Sequence, residues 1–445
     1  MVAAAPNTRG LDRSADAPVD GPRMAKETTK KVNHMKIRSV LGKLAVALSA
    51  AMLIASPASA ADDILIGYHG PLTGPASWVG LGGRDGALLA IDEINAAGGV
   101  NGRMIKMIAY DDAGKPSEAE AVAKKMIESD KVFAILGGGI SSVAIVVGEE
   151  AHRAKVPFFN GTGASPRIMD AQSRWVFTGA SIDVRDSAQN EATFIGEYLK
   201  VKKIAVMNGA DENSQSLADT VIKIIKEKYG VEVLTQQKYN PGDTDFSSQL
   251  LAIKQTNPEY LVMFGFYVEA ARAIRQAREL GIKTPIKGDA SMMNKGFLTV
   301  AGPAAEGMMV AFVPPYFNGN PAKDMVEFEA RYKKMFPSYP VDRPNYVDSY
   351  NYGNMYALAE GMKRAGKDMT RRSLVEALET LKDFKASDSW PKAVHVIQPL
   401  TFTESHNGNR RLSYFKVTGG TFQPISDFKA PVPTTKFPAN ATLKW

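Results

Sequence analysis

From Ile64 onward the chain repeats one pattern: a short apolar run, a glycine-rich turn, then a polar stretch in which apolar residues return at helical spacing. Runs at Ile64–Tyr68, Met104–Tyr110, Val132–Leu136 and Val156–Asn160 predict strands. Between them Leu88, Ile91 and Ile94 share one helix face, as do Ala121, Val122, Met126 and Ile127. Strands alternating with helices predict an α/β fold whose mostly parallel sheet is covered on both faces. A second series begins after Trp175–Ala180, with strands at Lys203–Met207, Val231–Leu234 and Tyr260–Phe264 and helices near Ser214–Lys228, Phe246–Gln255 and Val268–Leu280. The run Ala305–Pro314 leads to helices near Ala322–Lys334, Tyr346–Ala365 and Arg371–Leu381. In the tail, His395–Phe402 and Leu412–Phe422 read as strands joined by a loop through Asn407-Gly408.

The N-terminal stretch follows a different rule. Lys36, Arg38 and Lys43 precede the apolar run Leu44–Ala55, and Ala58-Ser59-Ala60 closes it. This predicts a secretory signal cleaved after Ala60, since a membrane span needs about 20 apolar residues. The alternative is an uncleaved anchor. Residues 1–34 are rich in Pro, Gly, Asp and Thr, so a start at Met35 is expected, with no function in the preceding stretch.

Charge looks different once the leader is set aside. The first 60 residues hold 9 of the 54 lysines and arginines but 4 of the 47 acidic residues, which leaves the remainder close to neutral. No footprint for nucleic acid remains, and a periplasmic monomer is expected. The chain has no cysteine, so the core must hold an exported fold, and thiol catalysis is excluded. Gly80-Leu-Gly82-Gly83-Arg-Asp85 fails the dinucleotide fingerprint because Asp85 occupies the third glycine position. No phosphate-cradling loop, Gly-x-Ser-x-Gly elbow or His-Glu-x-x-His pair occurs. The histidines past the leader, His69, His152, His395 and His406, are scattered, with His69 best placed for a role. No enzyme, cofactor or metal is expected.

Ile64-Leu-Ile-Gly-Tyr-His-Gly70-Pro-Leu-Thr-Gly74-Pro, Asp92-Glu-Ile-Asn-Ala-Ala-Gly98-Gly99-Val-Asn-Gly102-Arg and Tyr110-Asp111-Asp112 resemble the leucine/isoleucine/valine-binding protein family of ABC importers. The similarity continues through Asp243–Phe246, Ile274–Thr284, Ala305-Glu-Gly307 and Arg364-Ala-Gly366, in order along nearly the whole chain past the leader. The resemblance implies a type I two-lobe periplasmic-binding-protein fold with three interlobe crossings, near Ala180–Asp183, Val313–Tyr316 and Val394–Pro399. One lobe would take residues 61–181 and 315–394, the other 182–314 and 395–445 with the tail, and residues 1–60 would be leader. It implies hinge closure on a small-molecule carboxylate and delivery to membrane permease subunits. The family's small disulfide has no counterpart, its positions falling on Ala113 and Ile140.

The resemblance also places the ligand carboxylate on the loops Gly137–Val143 and Phe159–Pro166, with Ser141, Ser142 and Ser165 as hydroxyls and Gly163 or Ala164 as backbone donors. Each loop precedes a helix start, where N–H groups and the helix dipole attract an anion. Simple helix capping would ask for the same serines. Trp78 and Phe266, with Tyr267, Tyr346 or Tyr350, are candidate cleft walls, against the alternative of plain core packing.

Two features of α-amino-acid recognition depart from the family. The position of its acidic residue carries Ala290, with Asp289 one step earlier, and the position of its tyrosine carries Asn213. A buried ammonium without a partner costs several kcal/mol. A branched-chain or related amino acid and an aromatic or other organic acid therefore stand side by side as ligands, and a ligand-sensing module is the second functional alternative.

Overall fold

The computed structural model describes residues 62–169, 173–340, 343–403, 406–408, 410–432 and 444–445. The expected signal at Lys36–Ala60 lies outside the described residues. Two sheets organise the rest. The first contains β1 (Ile64–Gly70), β2 (Ile105–Asp111), β3 (Ala134–Gly137), β4 (Phe158–Asn160) and β5 (Val176–Thr178) in the order β2-β1-β3-β4-β5, all parallel. The second contains β6 (Lys203–Gly209), β7 (Glu232–Tyr239), β8 (Tyr260–Phe264), β9 (Ile286–Gly288) and β10 (Met309–Phe312), then the antiparallel pair β11 (Ser413–Thr418) and β12 (Thr421–Pro424). Its order, β12-β11-β10-β9-β8-β6-β7, repeats the first sheet's winding in its parallel part.

The central strands are buried on both faces because helices cover both, while the edge strands β2, β7 and β12 are partly exposed. Along β3, β4 and β5 consecutive residues divide between two cores: Ile135, Phe158 and Val176 on one side, Leu136, Phe159 and Phe177 on the other. The second of these cores holds α1 (Ser77–Ala96), the first holds α2 (Ser141–Ala154). The second sheet alternates likewise, with Ile204, Val206 and Val262 facing α3 (Glu212–Tyr229) and Ala205, Met207 and Leu261 facing α4 (Tyr267–Glu279).

After β10 the chain returns to the first sheet. Helices α5 (Lys323–Met335), α6 (Tyr346–Ala365) and α7 (Arg371–Leu378) pack Phe328, Tyr352 and Leu374 into the core that holds β1 and α1. Helices α1 and α6 meet at Gly86, where a Cβ would lie 1.9 Å from the Asp348 carbonyl oxygen. The contact requires glycine.

The tail corrects two expectations. His395–Phe402 is not a strand; it makes isolated bridges, Pro315 with Ile397, Phe384 with Leu400, and Phe402 with Gly408. The carbonyls of Gln398 and Pro399 are taken instead by the buried Arg410 guanidinium, each at 2.9 Å, while its Nε donates to Gly179. Proline at 399 also removes a ladder donor. Leu412–Phe422 is two strands rather than one, folded at Gly419-Gly420, whose φ angles of 59° and 72° make the hairpin turn.

Candidate functional site

In sheets wound this way, ligands sit beyond the carboxyl ends of the strands, where the winding changes direction. Here the loops after β4 and β5 face those after β6, β9 and β10 across a cavity of about 600 Å³, measured to its open mouth, and the loops after β3 and β8 reach the smaller cavity beside it. An adjoining cavity of about 360 Å³ shares Thr162, Asn213 and Tyr346 with it.

One wall is made of neutral donors. Strand β3 ends at Gly137, and α2 begins at Ser141, which is 1 % exposed. Ser141 Oγ accepts the N–H of Ala164 at 3.1 Å and of Ser165 at 3.3 Å. A hydroxyl accepting two N–H groups still has its own proton to donate. The loop after β4 is fastened by Asn160, whose Nδ2 donates to the Gly163 carbonyl at 2.6 Å while its Oδ1 accepts the Gly163 N–H. Thr162 Oγ1 donates to Gly139 O at 3.1 Å, and Ser181 Oγ donates to Thr162 O. These bonds join three strand-end loops into one rigid surface.

The facing wall is acidic and aromatic. Asp289 closes β9; its Oδ2 accepts the Gly265 N–H at 2.8 Å, and its Oδ1 accepts the Ser291 N–H and hydroxyl at 2.9 and 2.7 Å. Burial pushes its carboxyl up to about 6, against these hydrogen bonds and Lys287, which pull it down. Asp211 caps α3 by accepting the Ser214 N–H at 3.1 Å, and its other oxygen, Oδ2, is buried with no partner among the described residues. Asn213 Oδ1 is in the same condition. Tyr346 reaches the cavity because α6 starts there: Asn345 and Asp348 form a capping box, and Arg343 holds Asp348 at 2.7 Å and Asp85 at 3.1 Å.

Of the residues expected from sequence, Ser141, Ala164, Asn213, Phe266 and Asp289 line one or both cavities. Ser142, Gly163, Ser165 and Trp78 are not among the lining residues. Gly163 is taken up by its own loop, and Ser165 Oγ donates to Glu212 at 3.1 Å and accepts the Arg167 N–H. The Trp78 ring lies edge-on to Tyr267 and Phe266, with centroids 4.8 and 5.8 Å away, behind the cavity wall. His69 is fully buried against Asp112 at 3.0 Å and lines neither cavity. Sequence reasoning missed Thr162, Ser181, Asp211 and Ser291; position immediately after a strand is the signal that would have found them. Among the described residues no group of three or more His, Cys, Asp or Glu could hold a metal ion, and no helix is long and apolar enough to cross a membrane.

Two similarly wound α/β sheets with a polar cavity between their carboxyl ends define a two-lobe small-molecule-binding protein. The model of the periplasmic binding protein family matches residues 63–421, and the chain belongs to that family. It is 31% identical over 323 residues to the leucine-, isoleucine-, valine-, threonine- and alanine-binding protein of Pseudomonas aeruginosa, covering 72% of this chain and 84% of that protein. The branched-chain amino acid transporter substrate binding protein of Streptococcus pneumoniae, solved with isoleucine, shares the fold with a TM-score of 0.70 at 22% identity, over 81% of this chain and 98% of that one. A solute binding protein of an ABC transporter from Rhodopseudomonas palustris, solved with 3,4-dihydroxy benzoic acid, reaches a TM-score of 0.71 at 22% identity, over 84% and 98%.

Proposed function

We propose that this protein is the exported solute-binding component of an ABC importer, holding a small carboxylate between two lobes and presenting it to membrane permease subunits. One lobe is built on the first sheet and the other on the second; the expected boundary at 394/395 is corrected, because Val396 and Leu400 pack into the core of the first sheet and Asn407 bridges Thr178. The observation that carries the reading is Ser141 at the head of α2, receiving the N–H groups of Ala164 and Ser165 on a cavity wall without lysine or arginine among its described residues. An anion fits such a wall, where the proton of a hydroxyl whose lone pairs are already taken and the positive end of a helix converge without a buried cation. Bonds of this kind to a charged group contribute about 1.5–3 kcal/mol each. The names of the relatives support an amino acid as the carboxylate; the dihydroxybenzoate-bound neighbour supports an aromatic acid as the second reading.

The test is calorimetric titration of the single variants. Ser141→Ala is expected to weaken carboxylate binding about tenfold, about 1.4 kcal/mol, and Ser165→Ala by no more than about threefold, because Ser165 is turned toward Glu212. Unchanged affinity in Ser141→Ala would remove the carboxylate from this wall.

A further inference from the structure

The two acids on the facing wall are not equivalent. Both oxygens of Asp289 are occupied by groups of its own fold, since they bind the end of β8 to the turn after β9 through Gly265 and Ser291. Asp211 uses one oxygen to cap α3 and leaves Oδ2 buried and, among the described residues, unpartnered; two residues on, Asn213 Oδ1 is in the same condition. An unpaired buried acceptor costs about 1–3 kcal/mol, more when charged, so two of them beside one cavity call for a donor that the described residues do not supply. Asp211 and Asn213 line the same cavity as Ser141 and Thr162, and the rings of Phe266 and Tyr346 complete its wall. A carboxylate and an amide oxygen beside aromatic rings suit a cation, because the carboxylate attracts positive charge and aromatic rings tolerate it better than aliphatic walls do.

We propose that Asp211 Oδ2 and Asn213 Oδ1 receive an ammonium group of the ligand, so that this cleft selects carboxylates that also carry an amine. The inference rests on the solute-binding reading above. It assigns the amine to the loop after β6, and leaves Asp289, which sequence reasoning placed one step before the family's acidic position, to position the loops after β8 and β9.

The experiment titrates the full chain with neutral amino acids, each paired with its des-amino analogue, such as leucine with 4-methylpentanoate. Wild-type protein is expected to prefer the amino acid by at least about tenfold, about 1.4 kcal/mol, and Asp211→Asn to reduce that preference to within about threefold. Asparagine caps a helix as well as aspartate does, so the variant keeps the cap of α3, and circular dichroism at matched temperature verifies it. Asn213→Leu, which removes the second acceptor away from the cap, is expected to move the ratio in the same direction. A preference for the amino acid that survives in both variants overturns the proposal. Binding of des-amino acids with no amino acid bound overturns the ammonium site and leaves the carboxylate reading standing. Failure of every carboxylate to bind overturns both.

Discussion

At the scale of single residues, the site places a neutral wall of donors opposite a wall of acceptors, and the acceptors differ in how tightly the fold has used them. Asp289 is the one with a pH signature. Its folded-state value of about 6 lies above the ordinary aspartate value of about 3.9, so the protonated form is the one that folding favours. Its contribution is fully present below about pH 4 and is lost as pH rises through about 6. Comparing Asp289→Asn with the wild type isolates this group from the other carboxylates. The stability advantage of the wild type over the variant is expected to shrink by up to about 3 kcal/mol between pH 4 and pH 7, measured by urea unfolding. A constant difference across that range would mean that Asp289 is not desolvated in the folded protein.

At the scale of elements, the cavity depends on how two helices from distant parts of the chain are set against the first sheet. Helices α1 and α6 approach at Gly86, and α6 carries Tyr346 into the cleft from its first turn. Gly86→Ala puts a methyl against the Asp348 carbonyl, beside the Arg343–Asp85–Asp348 ion pairs, and is expected to destabilise the protein by about 1–3 kcal/mol in denaturant unfolding. An unchanged midpoint would show that the helices can separate at no cost. These elements were largely legible from sequence, because strands such as β3 and β4 alternate between two buried faces and so read as unbroken apolar runs between amphipathic helices; the three-residue β5 was too short to be read as a strand. The tail was not. Gly419-Gly420 marks the hairpin turn, but the apolar residues on either side of it read as one strand. His395–Phe402 has strand-like composition, yet the carbonyls of Gln398 and Pro399 are claimed by Arg410, a side-chain contact that no hydrophobic pattern contains. Asp211 was hidden for a similar reason. An aspartate before a helix reads as an N-cap, which it is, and only the assembled cleft reveals its second oxygen without a partner among the described residues.

At the scale of the whole molecule, the two lobes touch around the cavity. Ser165 on one side donates to Glu212 on the other, Trp78 packs edge-on against Tyr267, and Pro75 lies so near Gly242 that a Cβ there would be 3.2 Å from its ring. A solute bound between them is desolvated by both walls at once, which is how a few uncharged donors can hold an anion. The central claim is therefore that the ligand's carboxylate, and not merely its apolar part, is what the cleft recognises. The most direct measurement is a thermal-shift comparison of amino acids and aromatic acids with their amides, leucine against leucinamide and benzoate against benzamide. A ligand that binds the folded state alone raises the midpoint, by an amount equivalent to about 2.7 kcal/mol at a hundredfold excess over its dissociation constant. The expected result is a raised midpoint with at least one carboxylate and none with its amide. Equal stabilisation by acid and amide, or by neither across the panel, would contradict the account.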